Sequence, residues 1–196
     1  MADAQTVSAS LIASFDGAFV GNAPYRYWVP DRLLPAGVCE AIVALPVDAP
    51  EIGDTLGKRE THNSTRRFFA VDARAKHPVC EALAGALQSE PVVAQLERLC
   101  DVDLRDSNLR IEYCLDTDGF WLEPHTDIGV KKFTMLIYLA DDPGSQGWDA
   151  DVNDPRGDHQ LLFTAPYKRN SGFIFVPGPD TWHGFHKRPI HACAAR

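Results

Sequence analysis

The character of the sequence changes near Cys100, and this change limits the folds that the chain can adopt. Before it, Leu34, Val38, Ile42 and Leu45 recur at helical spacing and predict a helix that ends before Pro46. Two more helices are predicted after Pro78 and from Ser89. After Cys100, turn sequences separate five short segments that read as strands: 109–114, 119–125, 132–140, 160–164 and 172–176. Helices followed by strands predict a mainly β protein with flanking helices, an α+β fold built on a jelly-roll-type double sheet.

The length of 196 residues suits one well-buried core and is short for two domains. We therefore predict a single domain over 1–196, with residues 1–100 as mostly helical support and residues 105–196 as the β core. Residues 1–24 mix small and polar side chains, and we expect part of this segment to be loosely packed. A strand is predicted from Tyr25 to Val29.

Charge and cysteine usage restrict the partners and the compartment. The net charge of -8 argues against nucleic acid or an anionic membrane as a partner, since both favour a basic surface. Five cysteines without CxxC spacing predict reduced thiols in a cytoplasmic protein rather than a disulfide frame. The start of the chain does not resemble a secretory signal. A small-molecule substrate is the remaining expectation, and the oligomeric state is left open.

The tripeptide His125-Thr126-Asp127 is a candidate metal-binding motif. On an extended strand, residues i and i+2 point to the same face, so this imidazole and carboxylate can converge on one ion. His183, on a distant strand-like segment, can supply the third ligand. Two histidines and one carboxylate with open positions are the ligand set of non-haem Fe(II) oxygenases.

His186 and the acidic run at residues 149–153 are not predicted to bind metal. His186 would face the other way on a strand through His183, so His183 is the predicted ligand. The run Asp149-x-Asp151-x-Asn153 begins like a calcium loop but lacks the later glycine and glutamate, and it predicts a solvated loop.

The residues around these ligands carry a family resemblance. The strings Phe120–Asp127, Lys131–Leu139, Trp182–Phe185 and Arg188–Ile190 resemble a bacterial Fe(II)/2-oxoglutarate-dependent oxygenase of the prolyl-hydroxylase-like group. The resemblance covers residues 108–190. It implies a double-stranded β-helix core, catalytic Fe(II) held by His125, Asp127 and His183, and 2-oxoglutarate and O2 as co-substrates. It implies hydroxylation of a small molecule with release of succinate and CO2.

The resemblance also suggests co-substrate contacts. Tyr113 matches a position where relatives often place a tyrosine on the co-substrate. Tyr138 is a second candidate, because Thr134, Leu136 and Tyr138 are predicted to share the pocket face of a central strand beside the His-x-Asp strand. Relatives carry a cation for the distal carboxylate of 2-oxoglutarate on a final strand. Here Ala194 and Ala195 precede Arg196, so we predict that this strand is missing or replaced and that Arg196 is the remaining candidate.

Two other classes of protein stay open on the sequence alone. One is an inactive, truncated relative that binds metal on a jelly roll without catalysis. The other is a zinc hydrolase, since the same three ligands do not exclude Zn(II).

If the protein is an oxygenase, we predict an apolar pocket mouth formed by Trp121, Phe133 and Trp182.

Overall fold

The computed structural model describes residues 3–49, 51, 56–58, 66–141, 144–145, 147–189 and 194–195. Its helices all precede residue 101. They are α1 (Ala4–Asp16), α2 (Ala36–Val43), α3 (Val71–Lys76), α4 (Pro78–Leu87) and α5 (Glu90–Cys100). Pro78 and Pro91 stand in the first turns of α4 and α5, where the missing amide hydrogen costs nothing. The three helices that the apolar spacing predicts are confirmed.

The strands form two four-stranded antiparallel sheets and two short pairs. The strands are β1 (Phe19–Gly21), β2 (Tyr27–Val29), β3 (Arg67–Phe68), β4 (Glu112–Tyr113), β5 (Leu115–Asp116), β6 (Leu122–His125), β7 (Thr134–Ile137), β8 (Asp151–Asn153), β9 (Leu161–Thr164), β10 (Gly172–Phe175), β11 (His183–Phe185) and β12 (Ala194–Ala195). One sheet has the order β1-β2-β10-β7, and the other has the order β6-β11-β8-β9. The α+β prediction is therefore confirmed.

The two sheets pack face to face around a core rich in aromatic side chains, which we call the inter-sheet core. It is made of Tyr25, Phe120, Leu122, Tyr138, Ala150, Val152, Ala165, Phe173, Phe175 and Phe185. Tyr27 of the first sheet contacts Phe163 of the second with ring centroids 5.6 Å apart. Alternate residues of a strand point to the same face, so Phe173 and Phe175 of β10 both enter this layer.

A second core, the helix-facing core, lies between the helices and the first sheet. It includes Val7, Leu11 and Phe15 of α1, together with Trp28 and Ile174 of the sheet. The expectation of a partly loose segment over residues 1–24 is wrong for Ala4–Asp16, which form helix α1. Its buried residues recur every four positions and so form one apolar face, and Asp3 caps its N-terminus by accepting from the Thr6 amide at 2.8 Å.

Strand β7 divides its side chains between the two cores. Met135, Ile137 and Leu139 pack with the helix-facing core, whereas Leu136 and Tyr138 belong to the inter-sheet core. The predicted division of faces is thus confirmed. The predicted position was wrong, because β7 pairs with β10 at the end of the first sheet, and its described pairing does not include β6.

Strand β8 corrects the reading of residues 149–153 as a solvated loop. Asp149, Asp151 and Asn153 are buried, and β8 lies between β9 and β11 in the second sheet. A buried carboxylate is normally paired, and Asp151 accepts from Arg188, His186 and Thr164. These long-range partners turn an acidic stretch into a central strand.

The end of the chain contains a short strand. Ala194 and Ala195 form β12, which pairs antiparallel with β5. This two-residue strand forms a pair separate from the two four-stranded sheets, so the prediction that the final strand is missing or replaced stays a prediction. Arg196 and residues 190–193 lie outside the described residues. Among the helices that the structure describes, none combines the length and the apolar character that crossing a bilayer requires.

Candidate metal centre

The three predicted ligands come together on the inner side of the second sheet. One donor atom from each of His125, Asp127 and His183 lies within 4.8 Å of the other two. His125 ends β6, His183 begins β11, and the two rings have centroids 4.5 Å apart. His183 also contacts Phe175 of the opposite sheet at 4.7 Å. The group therefore borders the inter-sheet core.

A bulge in the pairing of β6 with β11 sets the direction of His125. His183 pairs with His125, and Phe185 pairs with Leu122. The two pairs are two residues apart along β11 but three residues apart along β6, so β6 carries one extra residue. Strict alternation would point Leu122 and His125 to opposite faces. The extra residue turns both inward, where Leu122 joins the core and His125 meets His183.

Both histidines are oriented by backbone carbonyls. Nδ1 of His125 lies 2.8 Å from the Glu123 carbonyl oxygen, and Nδ1 of His183 lies 2.9 Å from that of Thr181. A carbonyl only accepts, so each Nδ1 carries the hydrogen and each Nε2 keeps its lone pair. Such a bond behind a metal-binding histidine fixes both its tautomer and its ring direction. The donor set therefore fits a divalent ion bound through Nε2.

Burial keeps His183 neutral. It lowers the pKa of His183 from 6.5 to about 4, with His125 adding to the effect. An unprotonated imidazole is the form that binds metal, so this ligand does not need to lose a proton near neutral pH.

The same pKa shift predicts that acid destabilises the protein. Between pH 6.5 and about 4, this histidine is protonated in the unfolded chain but not in the folded protein. The unfolding free energy therefore decreases as the pH is lowered through this range. At pH 5 the loss from His183 is about 2 kcal/mol relative to pH 7. Urea unfolding at both pH values, in the absence of divalent ions, should show this loss in the wild type and a smaller loss in His183→Asn. Equal losses in the two proteins would contradict the assignment.

Asp127 is held by two donors. Thr134 Oγ1 donates to Oδ2 at 2.6 Å, and the Lys131 ammonium donates to Oδ1. Burial alone would raise the pKa of Asp127, but these two bonds outweigh it and hold the pKa below its usual value. The carboxylate is therefore ionised and fixed in direction, as a metal ligand requires.

The opposite face of this sheet holds a separate polar cluster. His186 donates from its backbone amide to Asp151, and Nδ1 of its ring lies 2.7 Å from the same carboxylate. Arg188 also binds Asp151, and it donates to the Asp149 carbonyl at 2.7 Å. His186 thus points away from the three ligands, and the preference for His183 agrees with its position.

The two tyrosines predicted to contact the co-substrate lie in different cores. Tyr138 is fully buried in the inter-sheet core, while Tyr113 packs in the helix-facing core with its ring 6.2 Å from Phe69. The predicted pocket mouth was wrong for Phe133. Phe133 packs against the helix-facing core, and Trp182 stacks on His159 with centroids 3.3 Å apart.

Sequence reasoning missed Lys131, Thr134 and Phe175 as neighbours of the ligands. Lys131 follows Asp127 by four residues, across a turn in which its amide donates to the Ile128 carbonyl at 3.0 Å. A basic residue shortly after His-x-Asp is a sequence signal that could have been used. No such signal exists for Phe175, because its contact with His183 depends on the packing of the two sheets.

Gly184 lies where β6 and β11 approach most closely. A Cβ added here would lie 2.8 Å from the Leu122 carbonyl oxygen, so Gly184→Ala must push the two metal-binding strands apart. We expect a loss of about 1–3 kcal/mol in unfolding free energy, as for other overpacked sites, together with weaker metal binding. Gly129→Ala is the matched control, since its Cβ would meet nothing within 4 Å. Similar unfolding curves for the two variants would refute the steric argument.

Comparison with known proteins gives a likeness of fold. No protein-family model matches the sequence, and a search of curated proteins gives no match. Among solved structures, the chain is similar to a prolyl-4-hydroxylase from Pseudomonas putida, with a TM-score of 0.54 and 10% identity. The match covers 96% of this chain and 89% of that one. At 10% identity, the similarity shows a related fold and nothing more specific.

Proposed function

We propose that the protein is an Fe(II)/2-oxoglutarate-dependent dioxygenase that hydroxylates a small molecule. The observation that carries the proposal is the convergence of His125, Asp127 and His183 within 4.8 Å on the inner face of a sheet. Two histidines and one carboxylate, with positions left for other ligands, suit Fe(II) oxygenase chemistry. The fold likeness to a bacterial prolyl-4-hydroxylase supports the same class.

The proposed architecture is a single domain with a double-stranded β-helix. Two facing four-stranded antiparallel sheets, with the ligands on one of them, support this reading. Helix residues and sheet residues share the helix-facing core, which supports one folding unit. The pair of β12 with β5 is a short antiparallel contact near the end of the chain.

The roles of the side chains follow from their contacts. His125 and His183 bind through Nε2, and Asp127 binds as a carboxylate whose direction Thr134 fixes. Phe175 shields the inner side of His183 from water. Bound Fe(II) would supply the activation of O2 that couples conversion of 2-oxoglutarate to succinate and CO2 with oxidation of the substrate.

Tyr138 is the better of the two tyrosine candidates for 2-oxoglutarate. It lies in the inter-sheet core, as does Phe175, which touches His183. Tyr113 lies in the helix-facing core. Arg196 is retained as a candidate for the distal carboxylate, and Arg196→Ala measures its role directly. The negative net charge agrees with a small-molecule substrate rather than nucleic acid or an anionic membrane.

Turnover of 2-oxoglutarate tests the proposal. Protein with Fe(II), O2 and 2-oxoglutarate should form succinate, and His183→Ala should form none under the same conditions. Omission of Fe(II) and replacement by Zn(II) are the controls, and they separate this reaction from that of a zinc hydrolase. Tight metal binding without succinate formation would favour the non-catalytic metal-binding protein instead.

A further inference from the structure

Lys131 is the cation that the structure places on a predicted metal ligand. Its ammonium donates to Oδ1 of Asp127, and its side chain is 29% exposed while that of Asp127 is 8% exposed. Its charge also contributes to the lowered pKa of His183. Lys131 therefore contacts Asp127, and its charge also acts on His183.

Lys131 and a divalent ion compete for the same carboxylate. Thr134 donates to Oδ2 of Asp127 and Lys131 donates to Oδ1, so an ion bound through Oδ1 would meet the ammonium. An ammonium bound to that oxygen would lie within a few ångströms of the ion, where like charges repel strongly in a partly buried site. Metal binding through Oδ1 of Asp127 would therefore displace Lys131, and the displaced ammonium would then pair with another anion close by.

Other cations near this sheet have different partners. Arg188 binds Asp151 and the Asp149 carbonyl on the opposite face. Lys132, the neighbour of Lys131, is exposed. Of these three, Lys131 is the one that contacts a predicted metal ligand. A 2-oxo acid that chelates the ion through its keto and carboxylate oxygens brings such an anion to that place.

We propose that Lys131 exchanges partners: it neutralises Asp127 before metal binds, and afterwards it pairs with the carboxylate of a metal-bound 2-oxo acid. The inference rests on the proposed function and adds a co-substrate contact to it. The lysine is tethered in the turn after Asp127, so both partners are within its reach without movement of the sheets. It keeps the anionic ligand group neutralised when no ion is bound.

Binding measurements on Lys131→Met test both halves of the exchange. Mn(II) should bind this variant roughly tenfold more tightly or better, because a hydrogen bond to a charged group no longer has to be broken. The Mn(II)-loaded variant should bind 2-oxoglutarate roughly tenfold more weakly. Lys132→Met removes the same charge one residue away and should change neither affinity by more than about twofold.

A labelling experiment on the wild type needs no variant. Acetylation by an amine reagent, followed by mass spectrometry, should show that Lys131 becomes more reactive when Mn(II) is added and less reactive when 2-oxoglutarate follows. Reactivity that does not change with Mn(II), or affinities of Lys131→Met equal to those of Lys132→Met, would overturn the exchange while leaving the metal centre intact. Absence of Mn(II) binding in the wild type and both variants would overturn the metal centre itself.

Discussion

Replacing His183 with alanine should abolish the binding of divalent metal. His125 ends β6 and Asp127 follows it, whereas His183 is the ligand on β11. Loss of a partner behind a metal ligand alone costs about 10–100-fold in affinity, so loss of the ligand itself should exceed that range. Titration with Mn(II) or Co(II) under anaerobic conditions, followed by calorimetry, measures the effect.

His186→Ala is the matched control for this prediction. His186 stands three residues further along, is 54% exposed, and binds Asp151 on the opposite face of the sheet. Its removal should leave metal affinity within about threefold of the wild type, since it is not among the three ligands. Circular dichroism should confirm that both variants are folded. If His186→Ala loses metal as completely as His183→Ala, the wrong histidine has been identified.

Replacing Asp151 with alanine should cause the largest loss of stability. The side chains of Asp151 and Arg188 are only 4% and 12% exposed, and Asp151 also accepts from His186 and Thr164. Removing one partner of a buried ion pair costs about 3–5 kcal/mol, because the remaining charge loses its hydrogen-bonded counter-ion. Urea denaturation of the wild type and Asp151→Ala at pH 7 should show this difference in unfolding free energy.

Asp103→Ala supplies the comparison for a surface ion pair. Asp103 binds Arg105 at 2.7 Å, but the two side chains are 54% and 83% exposed. An exposed pair contributes about 0–1 kcal/mol, so this variant should unfold almost as the wild type does. Should Asp151→Ala lose no more stability than Asp103→Ala, the buried cluster on β8 would not be the structural element described above.

Local patterns were sufficient for much of the fold. Apolar spacing predicted α2, α4 and α5, and short apolar runs between turns predicted β6, β7, β9 and β10. The two faces of β7 also followed from alternation, because Met135 and Ile137 pack against the helices while Leu136 and Tyr138 face the opposite sheet. These features depend on residues close in sequence. In the metal site, the identity of the three candidate ligands came from the same kind of pattern.

The elements that the sequence misjudged depend on distant partners. The sequence predicted that Asp149 and Asp151 are solvated. In the structure Arg188, more than thirty residues later, forms an ion pair with Asp151 and donates to the Asp149 carbonyl. Helix α1 was missed because many of its residues are small or polar, and its apolar face is recognisable only from its packing against α4, α5 and the rest of the helix-facing core. Pairing of β7 with β10 rather than β6 likewise could not be read from β7 itself.

The sequence by itself determined which residues can bind metal, because His125, Asp127 and His183 carry the required donor atoms wherever the chain places them. Only the tertiary structure decided that they converge. The bulge between β6 and β11 turns His125 inward beside Leu122, and pairing with β11 brings His183 opposite it. The contacts of Lys131 and Thr134 with Asp127 were likewise fixed by the turn and strand that follow. Register and bulges arise from strand pairing across long sequence distances, which local periodicity does not contain.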